Sequence, residues 1–146
     1  MNARQRRTTR LLTVTAAVVS TAVLAVGPAR AAEDSTAITT PEGCGGLDYD
    51  DYGPGAAGGG DNDDYFVIHD YCGDYHGVKA WAWQNGTYLG GRYNGNGLAG
   101  AAVVWDPFKD DNVAPHDRIG MKVCLVDGDD GAPFACTSYT FTSIDG

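Results

Sequence analysis

Basic residues are scarce in this chain and unevenly placed. Ten Lys and Arg stand against 19 Asp and Glu, and five of the ten (Arg4, Arg6, Arg7, Arg10, Arg30) fall within the first 31 residues. From residue 32 onward five basic side chains face all nineteen acids, a formal charge of −14 against −9 for the whole chain. Such a charge repels nucleic acid and anionic lipid head groups, so neither is expected as a partner. Long apolar runs are equally scarce. Residues 11–26 form the one such stretch, broken by Thr13, Thr15, Ser20 and Thr21. It is shorter than the roughly 20 apolar residues that a membrane-spanning helix needs.

Catalytic and metal motifs are missing as well. There is no C-x-x-C spacing for zinc, no G-x-S-x-G and no H-E-x-x-H. The three histidines are His69, His76 and His116. His69-Asp70 with His76 would make an acid/base pair, but nothing around them completes a mechanism. Asp is so plentiful that paired carboxylates for glycoside hydrolysis carry no specific signal. The chain reads as a non-enzyme without cofactor or resident metal.

What is present begins with an address. Four arginines precede the apolar run, and Gly27-Pro28-Ala29-Arg30-Ala31 supplies small residues at Ala29 and Ala31. A charged region, an apolar region and an A-x-A site read as a secretory signal peptide over 1–31. The residues after Arg6-Arg7 match twin-arginine export poorly, which favours general secretion. Cleavage leaves 115 residues, enough for one domain. The expected location is extracellular, with no membrane attachment after cleavage.

Cys44, Cys72, Cys124 and Cys136 all follow the signal. An even count in a small secreted chain predicts two disulfides. Three pairings exist, and nearness along the chain favours Cys44–Cys72 and Cys124–Cys136. Loops of this size stabilise by about 3 kcal/mol each in the chain-entropy model.

Residues 32–64 are rich in Gly, Asp and small side chains, with Gly53-Pro54-Gly55 and Gly58-Gly59-Gly60. Little apolar surface is available there, which predicts an irregular segment. From residue 65 to 146, short aromatic and β-branched runs alternate with turn signals. Strands are predicted at 65–71, 78–84, 87–93, 101–105, 119–126 and 136–143. This spacing predicts an all-β fold, an antiparallel β-sandwich, immunoglobulin-like or similar.

Asn85-Gly86 predicts a two-residue type I′ hairpin, because both positions need positive φ. Regular pairing from that turn puts Trp83 opposite Tyr88, Ala82 opposite Leu89 and Lys79 opposite Arg92. One face then carries Val78, Ala80, Ala82, Leu89 and Tyr93. The other carries Lys79, Trp81, Trp83, Tyr88 and Arg92. Large rings dominate cores, so packing alone favours the ringed face inside. The converse arrangement would expose the rings as a platform for stacking on planar or sugar ligands, with Lys79 and Arg92 as edge donors.

Two further patterns have weak meaning. Residues 95–100 spell G-x-G-x-x-G, but a strand-like run follows where a dinucleotide fold needs a helix, so a loop is expected. Asp48/Asp50/Asp51, Asp61/Asp63/Asp64 and Asp127/Asp129/Asp130 each break the EF-hand pattern at Tyr52, Tyr65 and Gly131. A looser calcium site competes there with a plain solvated loop.

The runs Gly77-Val78-Lys79, Tyr93-Asn94-Gly95-Asn96-Gly97, Trp105-Asp106-Pro107-Phe108 and residues 120–128 resemble a group of small secreted actinobacterial proteins of unassigned function. The resemblance covers 76–146 and implies a secreted, disulfide-linked β domain with no activity to transfer. In format the chain is also similar to the small streptomycete inhibitors of amylases and proteases. The Trp-Arg-Tyr triplet of the amylase inhibitors is absent, and Gly91-Arg92-Tyr93 is the nearest text.

The reading is a secreted, non-catalytic binding protein for an extracellular ligand or protein partner. Its contact surface would be Trp81, Trp83, Tyr88 and Arg92, beside the 94–100 loop. An inhibitor presenting residues 105–111 to a secreted hydrolase is the alternative, and a structural cell-envelope protein is a third.

Overall fold

The computed structural model describes residues 34–51, 64–108 and 113–144. The signal peptide expected over 1–31 lies outside them. Eight strands fold in the described residues: β1 (Thr36–Thr39), β2 (Gly45–Asp50), β3 (Tyr65–Asp70), β4 (Gly77–Gln84), β5 (Thr87–Asn94), β6 (Val103–Trp105), β7 (Arg118–Val126) and β8 (Phe134–Thr142). They form two four-stranded antiparallel sheets, ordered β1-β2-β3-β6 (sheet A) and β5-β4-β7-β8 (sheet B). The sheets pack as a sandwich, although the strand order is not that of an immunoglobulin domain.

All six predicted strands occur, with ends displaced by two residues or fewer. The expectation of an irregular 32–64 segment is corrected. Residues 36–39 and 45–50 are strands, and β2 lies inside sheet A between β1 and β3. The segment's average composition hides a period-2 pattern. In Gly45-Gly46-Leu47-Asp48-Tyr49-Asp50, Leu47 and Tyr49 point inward and are fully buried, while Asp48 and Asp50 alternate outward. A residue short of apolar neighbours in sequence finds them across the sheet instead.

The core lies between the layers. Leu47, Tyr49, Phe66 and Ile68 of sheet A meet Val78, Ala80, Ala82, Ile119, Met121 and Val123 of sheet B, and Phe108 and Val113 close one side. Tyr49 is central: its ring contacts Phe66, Phe108 and Phe141. Its hydroxyl donates to the buried Asp64 carboxylate, whose other oxygen accepts the Val113 N–H at 3.0 Å. Burial and the adjacent Asp64 charge push the Tyr49 phenol far above its ordinary range.

Both expected disulfides are present. Cys44–Cys72 joins the start of β2 to the residues after β3, and Cys124–Cys136 ties edge strand β8 to β7. Among the described residues no cysteine is free.

Candidate functional site

The hairpin from β4 to β5 sets the surface. Asn85 (φ 52°) and Gly86 (φ 83°) both adopt the left-handed conformation that the sequence requires of them. Gln84 then pairs with Thr87 and Trp83 with Tyr88, as expected. Beyond that point the register departs from regular pairing. A bulge between Ala82 and Trp83 inserts Leu89, so Ala82 pairs with Gly90, Ala80 with Arg92 and Lys79 with Tyr93. One extra residue exchanges the faces of everything after it.

One open alternative is decided and one expectation is corrected by these facts. First, the small face is the core: Val78, Ala80 and Ala82 are fully buried, while Lys79, Trp81 and Trp83 are partly exposed on the outer face of sheet B. Sheet A supplies the reason. Tyr49 and Phe66 already fill the space between the layers, and small side chains opposite make room for them. Second, Arg92 leaves the ringed face. It pairs with Ala80, on the inward side of edge strand β5, and is exposed there at the margin of the sandwich. Tyr93 takes the place on the outer face that regular pairing assigned to Arg92.

The outer face of sheet B therefore reads in rows. Tyr88, Trp83, Gly120 and Thr140 form one row; Gly91, Trp81, Lys122 and Ser138 form the next; Tyr93 and Lys79 begin a third. The rings are held by what lies beneath and beside them. Trp81 covers Gly91, and the Tyr93 ring lies across Gly77 and Gly95. Trp83 and Tyr88 pack with centroids 5.6 Å apart. The Lys122 ammonium stands 5.1 Å from the Trp81 ring centroid and that of Lys79 stands 6.0 Å away.

Between Trp83 and β8 the surface sinks into an open depression of about 480 Å³, lined by Trp83, Asn85, Arg118, Gly120, Ser138 and Thr140, among others. Gly120 forms part of its floor. A Cβ there would find ordinary contacts only, the nearest being Trp83 at 3.5 Å. The absence of a side chain thus leaves the depression open without any backbone need for glycine. At the turn end, Asp117 accepts hydrogen bonds from Gln84 (2.7 Å), Asn85 (2.6 Å) and the Ala114 N–H (3.0 Å). Those bonds hold its carboxyl below the usual range. Asn85 in turn accepts the Arg118 N–H at 2.9 Å, which bonds the turn to the start of β7.

Charge is segregated between the layers. Every Lys and Arg among the described residues lies on sheet B: Lys79, Arg92, Arg118 and Lys122. None of the four strands of sheet B contains an Asp or Glu, whereas sheet A contributes Asp48, Asp50 and Asp70 and no Lys or Arg. Lys79 pairs with Asp129 at 2.8 Å. Lys122 and Arg118 make no ion pair among the described residues. Sequence alone does not single out these two residues, Tyr93 or Gly120 for this face. The runs 78–84, 87–93, 119–126 and 136–143 are visibly free of acids, but nothing local says that they share one sheet.

The other constellations disperse. His69 pairs with Asp48 at 3.0 Å and His76 with Asp127 at 2.6 Å, each with an acid of its own. Asp64 is buried as a hydrogen-bond acceptor, and Asp61 and Asp63 lie outside the described residues. Cys44, Cys72 and Asp74 come close enough to suggest a metal cluster, but both sulfurs are spent in the disulfide. Residues 95–100 form the expected loop, with the Gly100 N–H bonded to Gly97 and the Gly97 N–H donating to Asp70. Burial raises the Asp70 carboxyl against the opposing pull of the N–H groups of Cys72 and Gly97. In the 105–111 segment, Phe108 packs into the core, and 109–111 lie outside the described residues.

The chain matches no family model, no curated protein and no solved structure.

Proposed function

We propose that this chain is a secreted, non-catalytic binding protein that engages an extracellular saccharide through the outer face of sheet B. One observation carries the reading. Trp81 and Trp83 lie on the outer face although the inner face of the same strand is filled by Val78, Ala80 and Ala82. Large rings are normally drawn into cores, and a protein that keeps two tryptophans beside an exposed tyrosine gives up apolar burial to do so. Flat rings held on glycine offer a rigid apolar surface at little entropic cost. The faces of sugar rings are apolar and their edges are hydroxylated. Trp81 and Trp83 suit the former, and Thr140, Ser138, Asn85 and Arg118 around the depression suit the latter. Two disulfides accord with an extracellular setting.

Retention on insoluble polysaccharides tests the reading. Wild-type protein should be retained, and Trp81→Ala and Trp83→Ala should each weaken retention while the melting temperature stays near wild type. If both variants are folded and are retained like wild type, the platform is not the binding surface. The inhibitor alternative is less well supported, because the part of its loop that is described turns Phe108 inward.

A further inference from the structure

The geometry points to a more specific ligand: a saccharide chain bearing carboxylates at intervals, with Lys122 and Arg118 each meeting one of them. The inference rests on the platform reading and deepens it. Lys122 and Arg118 stand on the same face of β7, four residues apart, with Gly120 between them. At about 3.3 Å per residue the two strand positions lie about 13 Å apart. Trp81 is the cross-strand neighbour of Lys122 and Trp83 that of Gly120. A chain laid along β7 would thus pass a cation, two indole rings in succession, and a second cation.

Three observations point to a charged rather than neutral occupant. The strands of sheet B contain no acid, in a chain with nineteen. The cation nearest the acidic 127–130 loop, Lys79, is already paired with Asp129. Lys122 and Arg118 have no such partner among the described residues, and Lys122 instead lies against the Trp81 ring, where a ligand stacked on that ring would meet it. The charge of −14 beyond residue 31 sets the other bound. A dense polyanion is repelled by the molecule as a whole. A sparse ligand brings few charges beyond the two that meet Lys122 and Arg118, whereas every unit of a dense polyanion adds a like charge against the surrounding acids; screening beyond about 8 Å at physiological salt tempers both alike. Sparse carboxylates on an otherwise neutral sugar backbone satisfy both conditions.

The test uses beads carrying hyaluronan (one carboxylate per disaccharide), carboxyl-reduced hyaluronan, polygalacturonate (one per sugar) and polyglutamate, with cellulose as an uncharged glycan. The full mature chain is compared with Lys122→Gln, Arg118→Gln, Trp81→Ala and Trp83→Ala, each first shown to melt as a folded protein. Lys122→Gln and Arg118→Gln should each lose roughly tenfold on hyaluronan, the worth of one charge-assisted contact, and the wild type should be retained about a hundredfold better on hyaluronan than on its carboxyl-reduced form, which lacks both contacts. The tryptophan variants should lose retention on both forms. Equal retention on the carboxyl-reduced form or on cellulose, indifferent to Lys122→Gln and Arg118→Gln, overturns the charged ligand and leaves the platform standing. Polygalacturonate retained better than hyaluronan overturns the spacing. Polyglutamate retained as well as hyaluronan assigns the face to an acidic peptide and overturns the glycan. Retention on no glycan, or retention unmoved by both tryptophan variants, removes the platform and this inference together.

Discussion

Trp81 lies directly over Gly91: a Cβ built on Gly91 would come within 2.9 Å of Trp81 Cδ1. The ring therefore rests on backbone, and its orientation depends on a missing methyl group on the neighbouring strand. Gly91→Ala should lift the indole from this seat at a cost of about 1–3 kcal/mol. The backbone at Gly91 has ordinary φ, so the variant should fold. Tryptophan fluorescence and glycan retention should both change. An unchanged emission spectrum would show that the ring is not seated there.

Gly120 offers the complementary experiment. Valine suits a strand, and its Cβ would meet only ordinary contacts. Gly120→Val should leave the melting temperature equal or higher while its side chain fills the depression and lowers retention. Undiminished binding would place the ligand away from this part of the face.

Tyr49→Phe removes the hydroxyl that donates to buried Asp64 while keeping the ring among Phe66, Phe108 and Phe141. Loss of a donor to a buried carboxylate costs about 1–3 kcal/mol. For a domain of this size that is a fall of several degrees in Tm. Denaturant titration of the two proteins gives the difference directly. Equal midpoints would mean that the bond contributes nothing net.

Asp117 sets a pH dependence whose sign follows from its environment. Its folded pKa lies below the ordinary 3.8, because Asn85, Ala114 and Gln84 donate to the carboxylate. A depressed pKa contributes stability that is fully present above the ordinary value and is lost as pH falls through the folded one. Melting curves between pH 5 and pH 2 should therefore fall more steeply for wild type than for Asp117→Asn. Parallel curves would rule out this coupling.

Cys124–Cys136 fastens the edge strand beside the bulge between Val123 and Leu125. Replacing both cysteines with alanine should cost about 3 kcal/mol, less any residual order in the unfolded chain. Amide exchange should quicken first along 134–142, the edge strand thereby freed. Uniform quickening throughout both sheets would show that the bridge stabilises globally rather than at the edge.

Much of this molecule is legible in its residues taken in order. Short alternating runs between Gly, Asn, Asp and Pro mark six of the eight strands, because alternation and turn chemistry act over a few residues. Asn85-Gly86 specifies its turn for the same reason, and nearness along the chain selects the two cysteine pairs. β2 is hidden in the sequence because the Gly-rich surroundings of Leu47 and Tyr49 outweigh their spacing of two. What required the tertiary structure was the choice of face. Whether Trp81 and Trp83 face in or out depends on the volume that Tyr49 and Phe66 bring from the opposite sheet, which no window around residue 81 contains. The inserted Leu89 then moved Arg92 off the ringed face, since one unpaired residue reverses the alternation of all that follow. The gathering of Lys122 and Arg118 beside those rings is likewise a product of strand order. Local sequence determined the strands, and packing between the layers determined which of their side chains meet the solvent.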